Sequence, residues 1–441
     1  MTFVSVLVTV ATFSVAGVLA SGLLSLLPGF HVYNLVAIGV VLGGGHVLPP
    51  EWILPVTMGM VVGFSVFSAI PSVLLAAPDE SAFFTVLPGQ RMLMEGRGAE
   101  AVLFIGAGSM IGLAALCGSA AILPAAVPVA HAVLSRHAYW IVWCVIAFML
   151  LSEWPRANAY WVGPAVRLAG AWRQLAAGLL TFVLSGVLGL VLMNASPIDP
   201  RAAFQNLMPA FVGLFTLPWL LMNLVTRVQA PPQEALGDIR LDRRAVGVGG
   251  AAGVLGGGFA AFMPGVTGGV GGMLAGHALA VRDGRAFLIS QGASRTVYMA
   301  GALLLFFLPD GALTRGGAAA MLPALHAAAW KSGYAAAVAG VAFSAAAALL
   351  LIRPLTRVAM ALLAAVGCRV LSWIALVAAL VLVLTLTGIA GLVVTVVATA
   401  IGLVPLLHGS RRMNALGVIL LPLAINLSGL GPDVARWLGL R

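Results

Sequence analysis

Charged side chains are scarce. Only 8% of the 441 residues are Asp, Glu, Lys or Arg, while 61% are hydrophobic. A water-soluble domain carries about 25% charged residues, so this chain has too few to cover a water-facing surface of its size. The mean hydropathy of +1.09 agrees, and the apolar surface must face lipid. Cysteine is sparse too. Cys117, Cys144 and Cys368 lie far apart within apolar runs, with neither metal-ligand spacing nor the density of a disulfide framework, and they read as small buried apolar residues. Lysine is reduced to Lys331, so the net charge of +10 rests on arginine. The arginines sit at the ends of apolar runs, the pattern of cytoplasmic loops under the positive-inside rule. That placement argues against nucleic acid as a partner. No Walker A loop, metal-binding cluster or catalytic triad is present, which argues against an ATP-driven pump and against an enzyme. No soluble domain is present either: the longest polar connectors, around 153–173 and 227–244, run to about 20 residues.

What remains is apolar sequence. A bilayer-spanning helix needs about 20 mostly apolar residues, and such stretches fill nearly the whole chain. They lie at 2–27, 32–48, 52–76, 101–122, 124–151, 174–194, 203–226, 245–263, 266–281, 286–308, 317–352, 358–384, 387–407 and 413–429. Some are half-spans. The expectation is an all-α, multi-pass integral protein of the cell membrane with about ten to twelve crossings. The first run, Val4 to Leu27, lacks a charged n-region and a cleavage site followed by a polar domain, so it is expected to be retained rather than cleaved as a signal peptide. Arg156, Arg167 and Arg173 fall in one connector, and Arg227, Arg240, Arg243 and Arg244 in another, two helices later. Both can be cytoplasmic. Arg282 and Arg285 reach the same side only if 245–281 enters and returns as a hairpin.

The stretch Gly256–Gly272 contains Pro264-Gly265. Proline cannot continue a helix cleanly and glycine releases the backbone. The chain must therefore unwind at membrane depth, which is tolerated only where protein buries it or a wet cavity receives it. A glycine-rich packing face explains the glycines but not the Pro-Gly pair. The first half carries a similar break at Pro28-Gly29. Each half then has a second polar interruption, at Pro71 and Pro78-Asp79-Glu80 in the first and at Ser290–Thr296 in the second. Paired interruptions in two halves point to a transporter site. The expected organisation is two weakly similar membrane halves with broken or re-entrant helices, 1–226 and 245–441, joined by a polar connector at 227–244.

Five stretches resemble the large membrane subunit of tripartite tricarboxylate transporters, the TctA-type family, and more closely its stand-alone branch known largely from archaea. They are 27–31, 70–80, 87–97, 262–267 and 401–412, the last followed by 416–422. The resemblance implies a permease that moves carboxylates on an ion gradient, working with a small membrane subunit and an extracytoplasmic binding protein. This sequence carries Asp79-Glu80 where the tripartite members have a small uncharged Pro-Gly loop. That difference leaves the tricarboxylate, the accessory proteins and the coupling ion, Na⁺ or H⁺, open.

Residue chemistry suggests candidate roles. A charge near the bilayer centre costs at least about 2.5–3.5 kcal/mol, so Asp79 and Glu80 read either as ion-coupling residues or as part of an ordinary exterior loop over 78–100. Arg295 offers a forked donor suited to a carboxylate, or an ion-pair partner for Asp79 or Glu80, or a side chain snorkelling to an interface. A half-helix starting after each Pro-Gly break exposes free N–H groups and a positive dipole end, an anion site. The residues at those starts are His31, Tyr33 and Asn34 in the first half and Thr267, Gly268 and Gly269 in the second, with Ser294 beside Arg295. Gln90, Arg91, Arg411 and Arg412 read as loop residues of topology or gating.

The favoured reading is a secondary transporter for small carboxylates working by alternating access around these breaks, with no cofactor beyond the coupling ion. An alternative keeps the architecture and changes the ligand. Pro264-Gly-Val-Thr-Gly-Gly269 also looks like the Pro-Gly-Val-Ser-Gly-Gly signature of polyprenyl-phosphate translocases. Membrane lipids surround either version, and a homodimer is an expectation by analogy with elevator-type transporters.

Overall fold

The computed structural model describes residues 3–26, 49–153, 163–199, 206–226, 230–234, 237, 241–308 and 330–440. Pro28, Gly29, His31, Tyr33 and Asn34 lie outside them. The described residues form helices and no strand, because in hydrocarbon each backbone N–H and C=O must be satisfied within its own segment. In chain order the helices are α1 (Phe3–Leu24), α2 (Pro50–Phe67), α3 (Ala69–Leu74), α4 (Val86–Met94), α5 (Gly98–Ser119), α6 (Leu123–Leu134), α7 (Ala138–Leu151) and α8 (Pro164–Asn194). There follow α9 (Met208–Thr226), α10 (Arg243–Phe262), α11 (Gly268–Ala278), α12 (Gly284–Leu305), α13 (Trp330–Val366), α14 (Cys368–His408), α15 (Gly417–Leu427) and α16 (Gly431–Trp437).

Nine helices among the described residues are long and apolar enough to cross a bilayer, or ten if the bent pair Arg412–Leu427 and Gly431–Trp437 counts as one span. The protein is a polytopic all-α membrane protein. Its 41-residue α14 is about 60 Å long at ~1.5 Å per residue, twice the thickness of the hydrocarbon. Gly388 breaks it, with φ 68° and ψ −164°.

Proline does not end every helix it enters. The sequence sets a boundary between 352 and 358, around Pro354, whereas α13 runs through Pro354 and turns at Gly367, φ +81°. In a bilayer, ending the helix leaves more backbone unpaired than the one hydrogen bond that proline removes.

The chain forms two compact units. The first is Met1–Val133 with Asn223–Ala378, and the second is Leu134–Met222 with Ala379–Arg441. Each unit draws residues from both sides of the 227–244 connector.

Small residues set the packing of the first unit. A Cβ on Gly17 would lie 3.0 Å from Gly59 Cα, and one on Gly63 would lie 3.2 Å from Val18 Cα. Contacts that advance together along both helices mean that α1 and α2 run parallel. The same holds for α10 and α12. Gly249 meets Ala286, Gly253 meets Ser290 and Gly257 meets Ser294, where an added Cβ would lie 2.4, 2.5 and 2.5 Å from the neighbour's carbonyl oxygen. Between them α11 runs the other way, with Gly268 against Arg295 and Gly272 against Gln291. Residues 245–281 thus form the expected hairpin. At 11 residues, α11 is about 16 Å long, half a span.

In the second unit Gly186 and Gly189 of α8 admit Leu421 and Val418 of α15. Gly213 lets α9 close on α14, where Thr395 Oγ1 donates to Pro209 O at 3.2 Å. After α14 the chain turns at Gly409, φ +69°, and enters a buried 3-10 segment, Arg412–Leu416. Glu153, 4% exposed, anchors that turn: its Oε1 accepts from Arg411 N and from Asn414 Nδ2, both at 2.7 Å. Burial pushes the Glu153 carboxyl above its ordinary range, against those two hydrogen bonds and the nearby Arg411 charge.

Candidate functional site

The site lies wholly within the first unit, where α11 begins. Helix α10 stops at Phe262, Met263 is extended, Gly265 has φ +75° and Thr267 is extended before α11 starts at Gly268. Glycine carries that positive φ without the steric cost a Cβ would bring. Thr267 occupies the N-cap position, yet its side chain accepts no capping hydrogen bond. The first N–H groups of α11 therefore keep their donor capacity. The start of α11 is wedged between two neighbours. A Cβ on Gly268 would sit 2.8 Å from Arg295 Cα, and one on Gly269 would sit 2.6 Å from Ser81 O.

The second wall is the turn after α3. Leu75, Ala76, Ala77, Glu80 and Ser81 are all buried, and the Asp79 side chain is 12% exposed. This is not the exterior loop that an ordinary 78–100 connector would make. Ala76 takes φ +52°, costly for a residue with a Cβ. The turn is held in place by outside hydrogen bonds: Asn223 Nδ2 donates to Leu75 O at 2.8 Å, and Gln90 Nε2 donates to Val73 O. Pro71 lies inside α3, where its carbonyl accepts from Leu75 N at 3.0 Å, and Pro78 stands directly before Asp79. Gln90 and Arg91 belong to α4 rather than to a loop, and Arg91 pairs with Glu95 on its exposed face.

Helix α12 is the third wall. It is continuous through Ser290–Thr296, so that polar stretch is a buried helix face, not a backbone break. Arg295 forms an ion pair with Asp79. Its Nε donates to Ser81 Oγ at 3.0 Å, and its guanidinium lies 5.1 Å from the centroid of the Phe64 ring. Asp79 Oδ1 in turn accepts from Ser81 N at 2.9 Å and Ser81 Oγ at 2.7 Å. Ser294 Oγ donates to Gly268 O at 2.6 Å and ties α12 to the start of α11.

Two buried polar side chains beside this pair have no protein partner. They are Thr267, whose Oγ1 is unbonded, and Gln291, whose Oε1 and Nε2 are both unbonded; each residue is 2% exposed. An unmet buried polar group costs about 1–3 kcal/mol, so these atoms favour a polar ligand. A Cβ on Gly272 would lie 2.8 Å from Gln291 Nε2, which puts that amide against α11.

The structure brings Asp79, Thr267, Gly268, Gly269, Ser294 and Arg295 together, with Glu80 buried one residue from Asp79. Three contributors escape a reading of interruptions: Ser81, Phe64 and Gln291. For Gln291 a signal exists, since Gln291, Ser294, Arg295 and Tyr298 recur at the spacing of one helix face.

The comparisons with known proteins agree with this architecture. The sequence model of the tripartite tricarboxylate transporter TctA family matches residues 12–417. A protein of Methanocaldococcus jannaschii, described as uncharacterized protein MJ1079, is 26% identical over 282 residues, which is 63% of this chain and 64% of that relative. The chain thus spans less than two thirds of the length of the curated relative it matches. No solved structure matches. The TctA family is one of transporters and not of enzymes. Its match takes in all three walls of the site and both sides of the 227–244 connector, and the chain belongs to the tripartite tricarboxylate transporter TctA family.

Proposed function

We propose that this protein is a secondary transporter for small carboxylates in the cell membrane, with its substrate bound at the start of α11. One observation carries the reading. Unpartnered polar atoms of Thr267 and Gln291 lie buried at the N-terminus of a half-length helix, beside the Asp79–Arg295 pair. A carboxylate there takes hydrogen bonds from the Thr267 hydroxyl, the Gln291 amide and the free N–H groups of Gly268 and Gly269, within the positive end of the helix dipole. It also competes with Asp79 for the Arg295 fork.

That competition supplies a coupling step. A proton or Na⁺ engaged by Asp79 and Glu80 neutralises the carboxylate side and releases Arg295 to the substrate. Without the ion, Asp79 retakes Arg295 and the substrate is less strongly held. The parallel pairs α1–α2 and α10–α12, each flanking a Pro-Gly stretch, support the reading of two related halves. By extension from the family, the partners to test are a small membrane subunit and an extracytoplasmic binding protein, and the assembly to test is a homodimer.

The experiment is a thermal-shift screen of the purified chain with di- and tricarboxylates and with polyprenyl phosphates, each with and without Na⁺ and across pH. Stabilisation by a carboxylate, strengthened by Na⁺ or by low pH and lost in Thr267→Val, supports the proposal and names the ion. Stabilisation by the polyprenyl phosphate alone overturns it.

A further inference from the structure

A second buried cation stands in the other unit, and the α11 site does not use it. Arg412 opens the 3-10 segment Arg412–Leu416 and is 9% exposed. A guanidinium carries five N–H donors and stays charged. Among the described residues no carboxylate lies within ion-pair distance of it. Its polar contact is one long hydrogen bond, Nη1 to Phe215 O at 3.4 Å, and its remaining contact is the face of the Trp219 ring, 4.8 Å from the centroid. The nearby acid, Glu153, is engaged instead by Arg411 N and Asn414 Nδ2.

Polar atoms on the two segments that meet at Arg412 are unmet. Trp219 Nε1, Ser410 Oγ and Asn414 Oδ1 are buried without a partner. Phe215 lies in a π-helical turn, Val212–Thr216, inside α9. Such turns are frequent at functional sites, and this one turns a carbonyl toward the guanidinium. An unpaired buried charge is strongly unfavourable, and a ring face offsets only part of that cost.

We infer that Arg412, with Trp219 and Ser410, forms a site for a phosphate-type oxyanion. The guanidinium supplies a forked pair of donors, Trp219 Nε1–H a third and the Ser410 hydroxyl a fourth. Donors from three different groups suit a tetrahedral oxyanion better than a planar carboxylate. The anion supplies the negative charge that Arg412 lacks and ties the Gly409–Leu416 turn to α9. The phosphate comes either from an anionic lipid head group or from free solution. This site stands independently of the carboxylate reading, because it shares no residue with it.

The test uses the full chain, purified and stripped of lipid in a non-ionic detergent. Its thermal midpoint is followed with phosphatidylglycerol, with phosphatidylcholine as the neutral control, and with inorganic phosphate against chloride at equal ionic strength. The expected result is stabilisation by phosphatidylglycerol or by inorganic phosphate, at least tenfold weaker in apparent affinity in Arg412→Lys, which keeps the charge but loses the fork. A response to the lipid alone assigns the head group, and a response to inorganic phosphate assigns the free ion. Absence of both responses in the wild-type chain overturns the site, as does a wild-type response in Arg412→Lys. If Arg412→Lys does not fold, Trp219→Phe decides, since it keeps the ring and removes the N–H. A severalfold weaker response supports the site and an unchanged one overturns it.

Discussion

Arg295 and Asp79, 216 residues apart in the chain, form an ion pair buried inside one compact unit, with Ser81 bonded to both partners. Removing one member of such a pair leaves an uncompensated charge. Asp79→Asn and Arg295→Gln are each expected to cost about 3–5 kcal/mol. The double variant should lose clearly less than the sum of the two. Thermal unfolding of all four forms reads the coupling, and additive losses would mean that the pair is not energetically linked. Uptake should fall to background in both single variants, and wild-type uptake in both would sink the coupling role.

Thr267 and Gln291 separate binding from folding. Their buried polar atoms have no protein partner, so Thr267→Val and Gln291→Met should leave the unliganded protein as stable as wild type or up to about 3 kcal/mol more stable. The ligand-dependent rise in thermal midpoint should disappear in both. A large loss of stability without ligand would mean that these atoms serve the fold instead.

Gly269 is a steric prediction. Its missing Cβ would fall 2.6 Å from the Ser81 carbonyl oxygen, a backbone atom that cannot swing aside. Gly269→Ala should cost about 1–3 kcal/mol and weaken substrate affinity by pushing the Asp79 turn away from α11. Gly258, with nothing within 4 Å of an added Cβ, is the control. Equal behaviour of the two alanine variants would count against the close approach.

Glu153 gives a pH dependence. Burial raises its folded-state pKa above the ordinary value of 4.5. The folded state then holds the proton more tightly than the unfolded state. Its contribution to stability is fully present below pH 4.5 and is lost as pH rises through the raised value. Glu153→Gln keeps the shape and does not titrate. The wild-type midpoint, measured relative to Glu153→Gln, should fall as pH rises above 4.5, and a flat difference would contradict the assignment.

Much of this was legible in the sequence because the physics is local. Charge scarcity alone places the chain in lipid, and Pro264-Gly265 interrupts a helix wherever it stands. The pairing of Asp79 with Arg295 is of another kind. Each residue could be read as charged at depth, but their meeting depends on α11 and α12 packing against the turn after α3. Ser81 carries no signal at all, being a small hydroxyl next to two carboxylates. Pro354 misled, because its local preference to stop a helix yields to the cost of unpaired backbone in a bilayer. Arg412 read as a loop cation because two adjacent arginines resemble a cytoplasmic flank, and only packing separates the one near Glu153 from the one over Trp219.

Backbone laid on backbone leaves little side chain to repack. Along Gly249, Gly253 and Gly257, α10 meets α12 backbone to backbone, with only the short Ala293 and Val297 side chains beside the contact. Helix α11 is seated against the same two helices through Gly271 and Gly268. The three therefore behave as a stiff plate rather than a set of hinged rods. An added side chain at Gly253 must accordingly displace α10 and α12 as bodies, because its Cβ would lie 2.5 Å from the Ser290 carbonyl oxygen, which cannot swing aside.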